Sequence, residues 1–233
     1  MRLDKYLAHL QVGTRSEVKQ LIRGKKVTVA GTVIRDPGYA LAEGVPVAVN
    51  GVAVGGALDV LYVMNKPAGV ITATTDASAT TVLDLIAPAD RRPGLFPVGR
   101  LDKETTGLLL LTTDGALGHA LLAPGRHVAK TYVATLDAPV TSAMIAQLEA
   151  GITFKDFTSA PAKVTMQAPQ IAEITIHEGK FHQVKRMFHA VGVTVLTLQR
   201  VAMGTLQLPA DLRAGTYRIV TPAERAQLQV HSE

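Results

Sequence analysis

The sequence predicts an α+β protein, with a larger domain built on a mixed, mainly antiparallel sheet flanked by helices and a small basic module ahead of it. Three observations lead there. Strand-like stretches of period two alternate with single helices, and no βαβ unit repeats. Residues 1 to 57 hold eight Lys or Arg against four Asp or Glu, about +4 of the chain's formal +5. The uncharged stretch Val52 to Leu58, with Gly55-Gly56, reads as a linker, which puts the two modules at 1–57 and 58–233.

Within the first module, Thr14-Arg15-Ser16-Glu17 has the form of a capping box, Val18, Leu21 and Ile22 repeat at helical spacing, and Gly24 is placed as the stop. Arg15, Lys19 and Arg23 then form one basic stripe at i, i+4, i+8. Period two follows: Val27 and Val29 precede Ala30-Gly31, Val33 follows it, and Val45, Val47 and Val49 precede the Asn50-Gly51 turn. Such a stripe is ordinarily a solvated helix face, but the charge excess suggests an anionic partner.

The second module opens with an apolar strand from Leu58 to Met64, ending at Asn65-Lys66-Pro67-Ala68-Gly69. The segment Gly99-Arg100-Leu101-Asp102-Lys103-Glu104-Thr105-Thr106-Gly107 runs straight into four leucines, Leu108 to Leu111. That run predicts a buried strand, so Asp102 sits at a core edge, where a carboxylate can be rigidly aimed. An Asp in this position is otherwise a turn former. Lys130 to Ala134 alternates as a strand, with Lys130, Tyr132 and Ala134 on one face. Ser142 to Leu148, after Thr141 and before Gly151, predicts a helix.

The stretch from Ile176 to His189 begins as a strand and becomes an amphipathic helix. Val184, Met187, Phe188 and Val191 make its apolar stripe; His182, Lys185, Arg186 and His189 share the other face. Two histidines on one face raise a metal site, but i and i+7 lie roughly 10 Å apart along a helix, and no Cys or carboxylate joins them. A cationic face is the simpler reading. Leu196 to Gly204 closes the series as a strand.

Composition excludes several classes. With 47% apolar residues, 233 positions suffice for a sizeable core plus a small module. The absence of cysteine rules out disulfides and thiolate chemistry. No apolar run approaches the roughly 18 residues of a membrane span, and the first residues, Met-Arg-Leu-Asp-Lys, do not read as a signal peptide, so an intracellular, cytoplasmic protein is expected. A hydrolase pairing Asp102 with a histidine is disfavoured, since neither a G-x-S-x-G elbow nor an H-E-x-x-H helix is present.

Val98 to Gly115, VGRLDKETTGLLLLTTDG, resembles the central motif of the pseudouridine synthases, in the branch that includes the small-subunit ribosomal enzyme RsuA. Met1 to Gly51, with MRLDKYLA, TRSEVKQLIRGKKVTVAGTVI and VAVNG, resembles the S4 RNA-binding domain. NKPAG at Asn65, KTY at Lys130, HQVK at His182 and LQRVAMG at Leu198 are similar to further family elements in the same order, so the resemblance covers nearly the whole chain. Thr113 departs from the usual Asn of the leucine-run motif, which touches a local turn and leaves Asp102 intact.

What the resemblance implies is specific. Asp102 is the essential catalytic residue, Lys185 its basic partner, and Tyr132 the aromatic that stacks on the target base. Arg100 fills the space of the extruded nucleotide; Lys66, Leu198, His182 and Arg186 border the substrate. Leu198 is equally readable as a core strand leucine. Arg2, Lys5, Arg15, Lys19, Arg23, Lys25 and Lys26 contact RNA backbone, which positions an enzyme without choosing a base. The family implies no cofactor and no metal. EGKFHQVKRMF from Glu178 to Phe188 looks more like small-subunit than large-subunit members, so the expected partner is 16S ribosomal RNA, as part of an assembly intermediate with ribosomal proteins, met by a monomer. A 23S target and a non-catalytic S4-type ribosome assembly factor are the alternatives.

Overall fold

The structure, a computed structural model, describes residues 1–42, 44–55, 59–126 and 128–228. It forms two compact units: Met1–Val60 with Asp90–Leu95, and Leu61–Ala89 with the chain from Phe96 onward. The expected boundary between Ala57 and Leu58 lies outside the described residues, as does the linker's Gly56.

In the first unit, helices α1 (Leu3–His9) and α2 (Arg15–Arg23) pack on a sheet of β1 (Val27–Val29), β2 (Thr32–Val33), β3 (Val47–Val49) and β4 (Val52–Val54), ordered β2-β1-β3-β4. The capping box at α2 forms as expected: Glu17 N–H donates to the Thr14 hydroxyl, and Thr14 N–H donates to the Glu17 carboxylate at 2.7 Å. Leu3 and Leu7 of α1 and Val18 and Ile22 of α2 are fully buried against Val27, Val29, Val47 and Val49, which makes one small core.

Two expectations are corrected here. Val52, Ala53 and Val54 are a strand and not linker, because Asn50 (φ 51°) and Gly51 (φ 79°) close a tight hairpin that pairs β4 with β3. Strand β3 starts at Val47 instead of Val45, since Pro46 has no N–H for the ladder.

The second unit is one nine-stranded sheet of β5 (Leu61–Lys66), β6 (Phe96–Val98), β7 (Thr106–Thr112), β8 (Lys130–Leu136), β9 (Lys163–Ala168), β10 (Ile171–Ile176), β11 (Val195–Met203), β12 (Leu206–Gln207) and β13 (Tyr217–Ile219). Its path is β13-β5-β7-β11-β8-β10-β9, with β6 also on β7 and β12 on β11. Every pairing is antiparallel except β7 with β11, so the sheet is mixed and mainly antiparallel. Helices α3 (Gly115–Leu122), α4 (Ser142–Ala150), α5 (Gln183–Ala190) and α6 (Pro222–Leu228) flank it.

Strand β5 begins three residues later than expected and continues through Lys66; Leu58 lies outside the described residues. Strand β7 is as the leucine run predicts: Leu108 to Leu111 are all 0% exposed, because both faces of the sheet are covered there. One edge of β7 pairs with β5 throughout. The other pairs first with β11, at Thr106 and Gly107, and then with β6, from Leu110 to Thr112. Gly107 is required at that contact: its φ is 100°, and a Cβ would meet the Arg200 carbonyl oxygen at 2.2 Å.

Candidate active site

The segment joining β6 to β7 carries Asp102, and two buried side chains hold it on either side. Before Asp102, Leu101 is buried; its N–H donates to the Thr72 hydroxyl at 3.2 Å, and that hydroxyl donates to the Leu101 carbonyl at 2.8 Å. After it, the Lys66 ammonium donates to the carbonyls of Lys103 at 3.0 Å and Thr105 at 2.9 Å, and to Pro67 at 2.9 Å. Three donors meet three acceptors, the condition under which a lysine can be completely buried. Burial pulls its pKa down to about 8 from 10.5, with Glu104 and Asp102 opposing that shift.

Lys66 is therefore corrected from a substrate-bordering residue to an internal one: it is 0% exposed and lines neither cavity at Asp102. Because β5 runs on through Lys66, its side chain enters the interior below the turn and does not face the cleft.

The Asp102 carboxylate is met from three directions. Thr105 donates its hydroxyl to Oδ2 at 3.4 Å, Lys185 Nζ lies 3.4 Å from Oδ2, and His182 Nε2 lies 3.5 Å from Oδ1. The carboxylate is still 29% exposed, so it remains open to a ligand. Helix α5 supplies Lys185 in its first turn, while Val184, Met187 and Phe188 anchor its buried stripe, as the periodicity predicts. His182 is not on that helix face: it is the N-cap residue, in left-handed conformation at φ 50° and ψ 29°, and this turn brings its ring to Asp102.

Tyr132 on β8 is 7% exposed and Leu198 on β11 is 6% exposed. Tyr132 pairs with Arg200 and Ile174 on the neighbouring strands, and Leu198 pairs with Ala134, so both side chains emerge on one face of the sheet. With Ile176 and Val184 they wall an inner cavity of about 60 Å³ that Asp102, His182 and Lys185 also line. A wider cleft of about 470 Å³ adjoins it, lined by Ile71, Thr72, Lys103 and Phe181; Arg100, Asp102 and His182 border both. Among the described residues no group of three or more His, Asp or Glu stands at metal-ligand spacing.

Arg186, expected at the substrate, is engaged elsewhere. Its guanidinium donates to both oxygens of Asp156, one at 3.0 Å, and lies over the rings of Phe154 at 4.5 Å and Phe157 at 4.8 Å. One residue on from Lys185, it is turned about 100° around the helix and so faces residues 153–158 instead of Asp102. Asp156, Phe154, Phe157, Thr72 and Thr105 carried no sequence signal. Arg200, 1% exposed with Nε donating to the Leu108 carbonyl at 2.7 Å, had one: a lone cation in an apolar strand.

In the first unit, Lys5, Arg15, Arg23, Lys25 and Lys26 are exposed and Lys19 is half-buried. A cleft of about 430 Å³ is edged by Lys5, His9 and Arg15. Arg2 is less available, since its guanidinium forks on Asp4 at 2.9 and 3.0 Å; that hydrogen bond holds the Asp4 carboxyl below the usual carboxylate range, with help from Lys19. No helix among the described residues is long and apolar enough to cross a membrane.

Residues 60–190 match the family model described as RNA pseudouridylate synthase, and residues 1–47 match the S4 domain. The chain is 39% identical to ribosomal small subunit pseudouridine synthase A of Escherichia coli (strain K12), over 98% of this chain and 100% of that one. It is 36% identical to ribosomal large subunit pseudouridine synthase B of Bacillus subtilis (strain 168), over 98% and 95%. A crystal structure of a pseudouridylate synthase superposes with a TM-score of 0.70 at 32% identity, covering 98% of this chain and 99% of that one.

Proposed function

We propose, since the chain belongs to the RNA pseudouridylate synthase family and carries an S4 domain, that it isomerises one uridine of 16S ribosomal RNA to pseudouridine. The observation that carries the chemistry is Asp102, aimed by Lys185 and His182 over a cavity walled by Tyr132 and Leu198. The reaction breaks the N1–C1′ bond, turns the uracil and joins C5 to C1′; N1 gains a proton and the C5 proton leaves to solvent. Reactant and product have the same composition, so no redox partner or group carrier is called for.

Asp102 acts on the ribose, by attack at C1′ or by taking a ribose proton, and Lys185 and Thr105 hold it in line for either. Tyr132 stacks on the uracil, Leu198 closes the pocket beside it, and Arg100, exposed at the mouth, occupies the place of the extruded nucleotide. Extruding a base costs a few kcal/mol, and binding of adjoining RNA by Lys5, Arg15, Lys19, Arg23, Lys25 and Lys26 offsets this. Residues 1–57 serve as the RNA-positioning part and 58–233 as the catalytic part. The chain works as a monomer, in the cytoplasm, on an assembling small subunit.

Two lines support a 16S target: the full-length similarity to a small-subunit synthase, and the EGKFHQVKRMF segment. Carbodiimide mapping of pseudouridine in total ribosomal RNA, from a strain lacking the gene and the same strain complemented, tests it. Loss and recovery of a single 16S site is expected. A 23S site instead would assign the chain to the large-subunit reaction, to which the 36% relative also points. An unchanged map would overturn the ribosomal reading and favour the assembly-factor alternative.

A further inference from the structure

We infer that the outer face of Phe181 is a stacking platform for the nucleobase that neighbours the flipped uridine in the RNA strand, an inference that rests on the uridine-isomerising reading above. Phe181 is 76% exposed, the highest value for a large apolar side chain among the described residues. The other phenylalanines are used: Phe188 is fully buried in the core, Phe96 is half-buried on β6, and Phe154 and Phe157 lie beneath Arg186. With three-quarters of its surface in water, an aromatic of this size adds little to the fold through burial.

Its orientation is also set. The Phe181 ring stacks on the His182 imidazole with centroids 3.8 Å apart and planes 18° from parallel, while the far edge of that imidazole reaches Asp102 at 3.5 Å. One face of the phenyl is thus occupied and the other is presented flat, already immobilised, beside the reacting carboxylate. Preorganised rings of this kind bind single-stranded RNA by stacking on unpaired bases.

The two cavities decide which base it receives. Tyr132 and Leu198 line the inner one, Phe181 and Thr72 line the outer one, and Asp102 lies on the border of both. A uracil on Tyr132 with its ribose at Asp102 fills the inner side, which sends the adjoining nucleotide into the outer cleft. Exposed Arg100, Lys103 and Lys180 edge that cleft and suit a phosphate linking the two nucleotides. A nucleotide of the substrate strand fits this cationic setting better than an apolar protein segment.

The test uses a short oligoribonucleotide around the uridine assigned by mapping, together with versions carrying an abasic ribose immediately before or after it. Affinities of wild type, Phe181→Ala and Phe181→Tyr are read by fluorescence anisotropy, with single-turnover isomerisation followed in parallel. Phe181→Ala is expected to weaken the intact RNA about tenfold and Phe181→Tyr to restore it. One abasic RNA should bind wild type as weakly as the intact RNA binds Phe181→Ala, with no further loss when the two changes are combined. Equal weakening of all three RNAs by Phe181→Ala, or none, would overturn the platform. If wild type binds without isomerising, the reaction reading fails, and the affinity comparison still decides the platform.

Discussion

The Lys66 ammonium lies 3.0 Å from the carbonyl oxygen of Lys103, so a fully buried lysine on one strand fixes the residue that follows Asp102. The same ammonium holds Thr105, whose hydroxyl reaches the Asp102 carboxylate. Position at Asp102 is therefore built from the interior outward, by a charge that never meets the cleft.

Replacing Lys66 with Met removes this donor from the carbonyls of Pro67 and Thr105, while that of Lys103 keeps the Gly69 N–H at 3.0 Å. Stability should fall by roughly 3 kcal/mol, from the cost of unsatisfied buried acceptors, and kcat should fall more than KM rises. Urea denaturation and steady-state kinetics on substrate RNA measure the two.

The same residue predicts a pH signature. Its folded pKa, about 8, lies below the ordinary 10.5, so between these values the unfolded chain binds the proton that the folded chain releases. Unfolding free energy from this group thus rises with pH across that window, by at most about 1.4 kcal/mol per unit. Below pH 8 the cost of burying the charge is present in full. Stability curves of wild type and Lys66→Met should accordingly diverge in slope above pH 8 and run parallel below it.

At Lys185, charge and reach are separable. Lys185→Arg keeps a cation that can approach Asp102 Oδ2, whereas Lys185→Met removes it, so single-turnover rates should fall at least about 100-fold for Met and much less for Arg. Equal losses in both variants would mean that the ion pair at 3.4 Å is not what orients the carboxylate.

Gly107→Ala should be among the most destabilising single changes in the larger unit. The added Cβ meets backbone, not a movable side chain, at the one place where β7 and β11 run in parallel. A loss of at least about 2 kcal/mol is expected in urea, with a poorly folded product as the extreme outcome.

Asp156→Ala should release residues 153–158 from helix α5, because Arg186 then keeps only its ring contacts. Lys155 is exposed within that segment, so trypsin cleavage after it should quicken several-fold in the variant. An unchanged cleavage rate would show that the rings alone hold the segment.

Much of this is legible in the sequence alone. The leucine run marked β7, Thr14 to Glu17 marked α2, and alternation marked β8, because each is a local pattern with one structural solution. Asp102, Tyr132, Lys185 and His182 were named from motifs, and they converge on one cavity. The errors arose where long-range contacts decide. Lys66 reads as a substrate-bordering residue because nothing local announces three carbonyls waiting inside, two of them about forty positions away. Arg186 shares its charged face with Lys185, and only the arrival of Asp156 from another part of the chain separates their roles. Thr72 is one of many threonines until Leu101 is placed beside it.

Asp102 is proposed to perform the uridine isomerisation, and one assay reads that role without intermediaries. Joining C5 to the ribose expels the C5 hydrogen, so tritium release from RNA carrying 5-tritiated uridine reports the reaction directly. Wild type should release the label of one uridine per RNA, while Asp102→Asn should bind the same RNA with unchanged affinity and release none; release by Asp102→Asn at the wild-type rate would contradict the account.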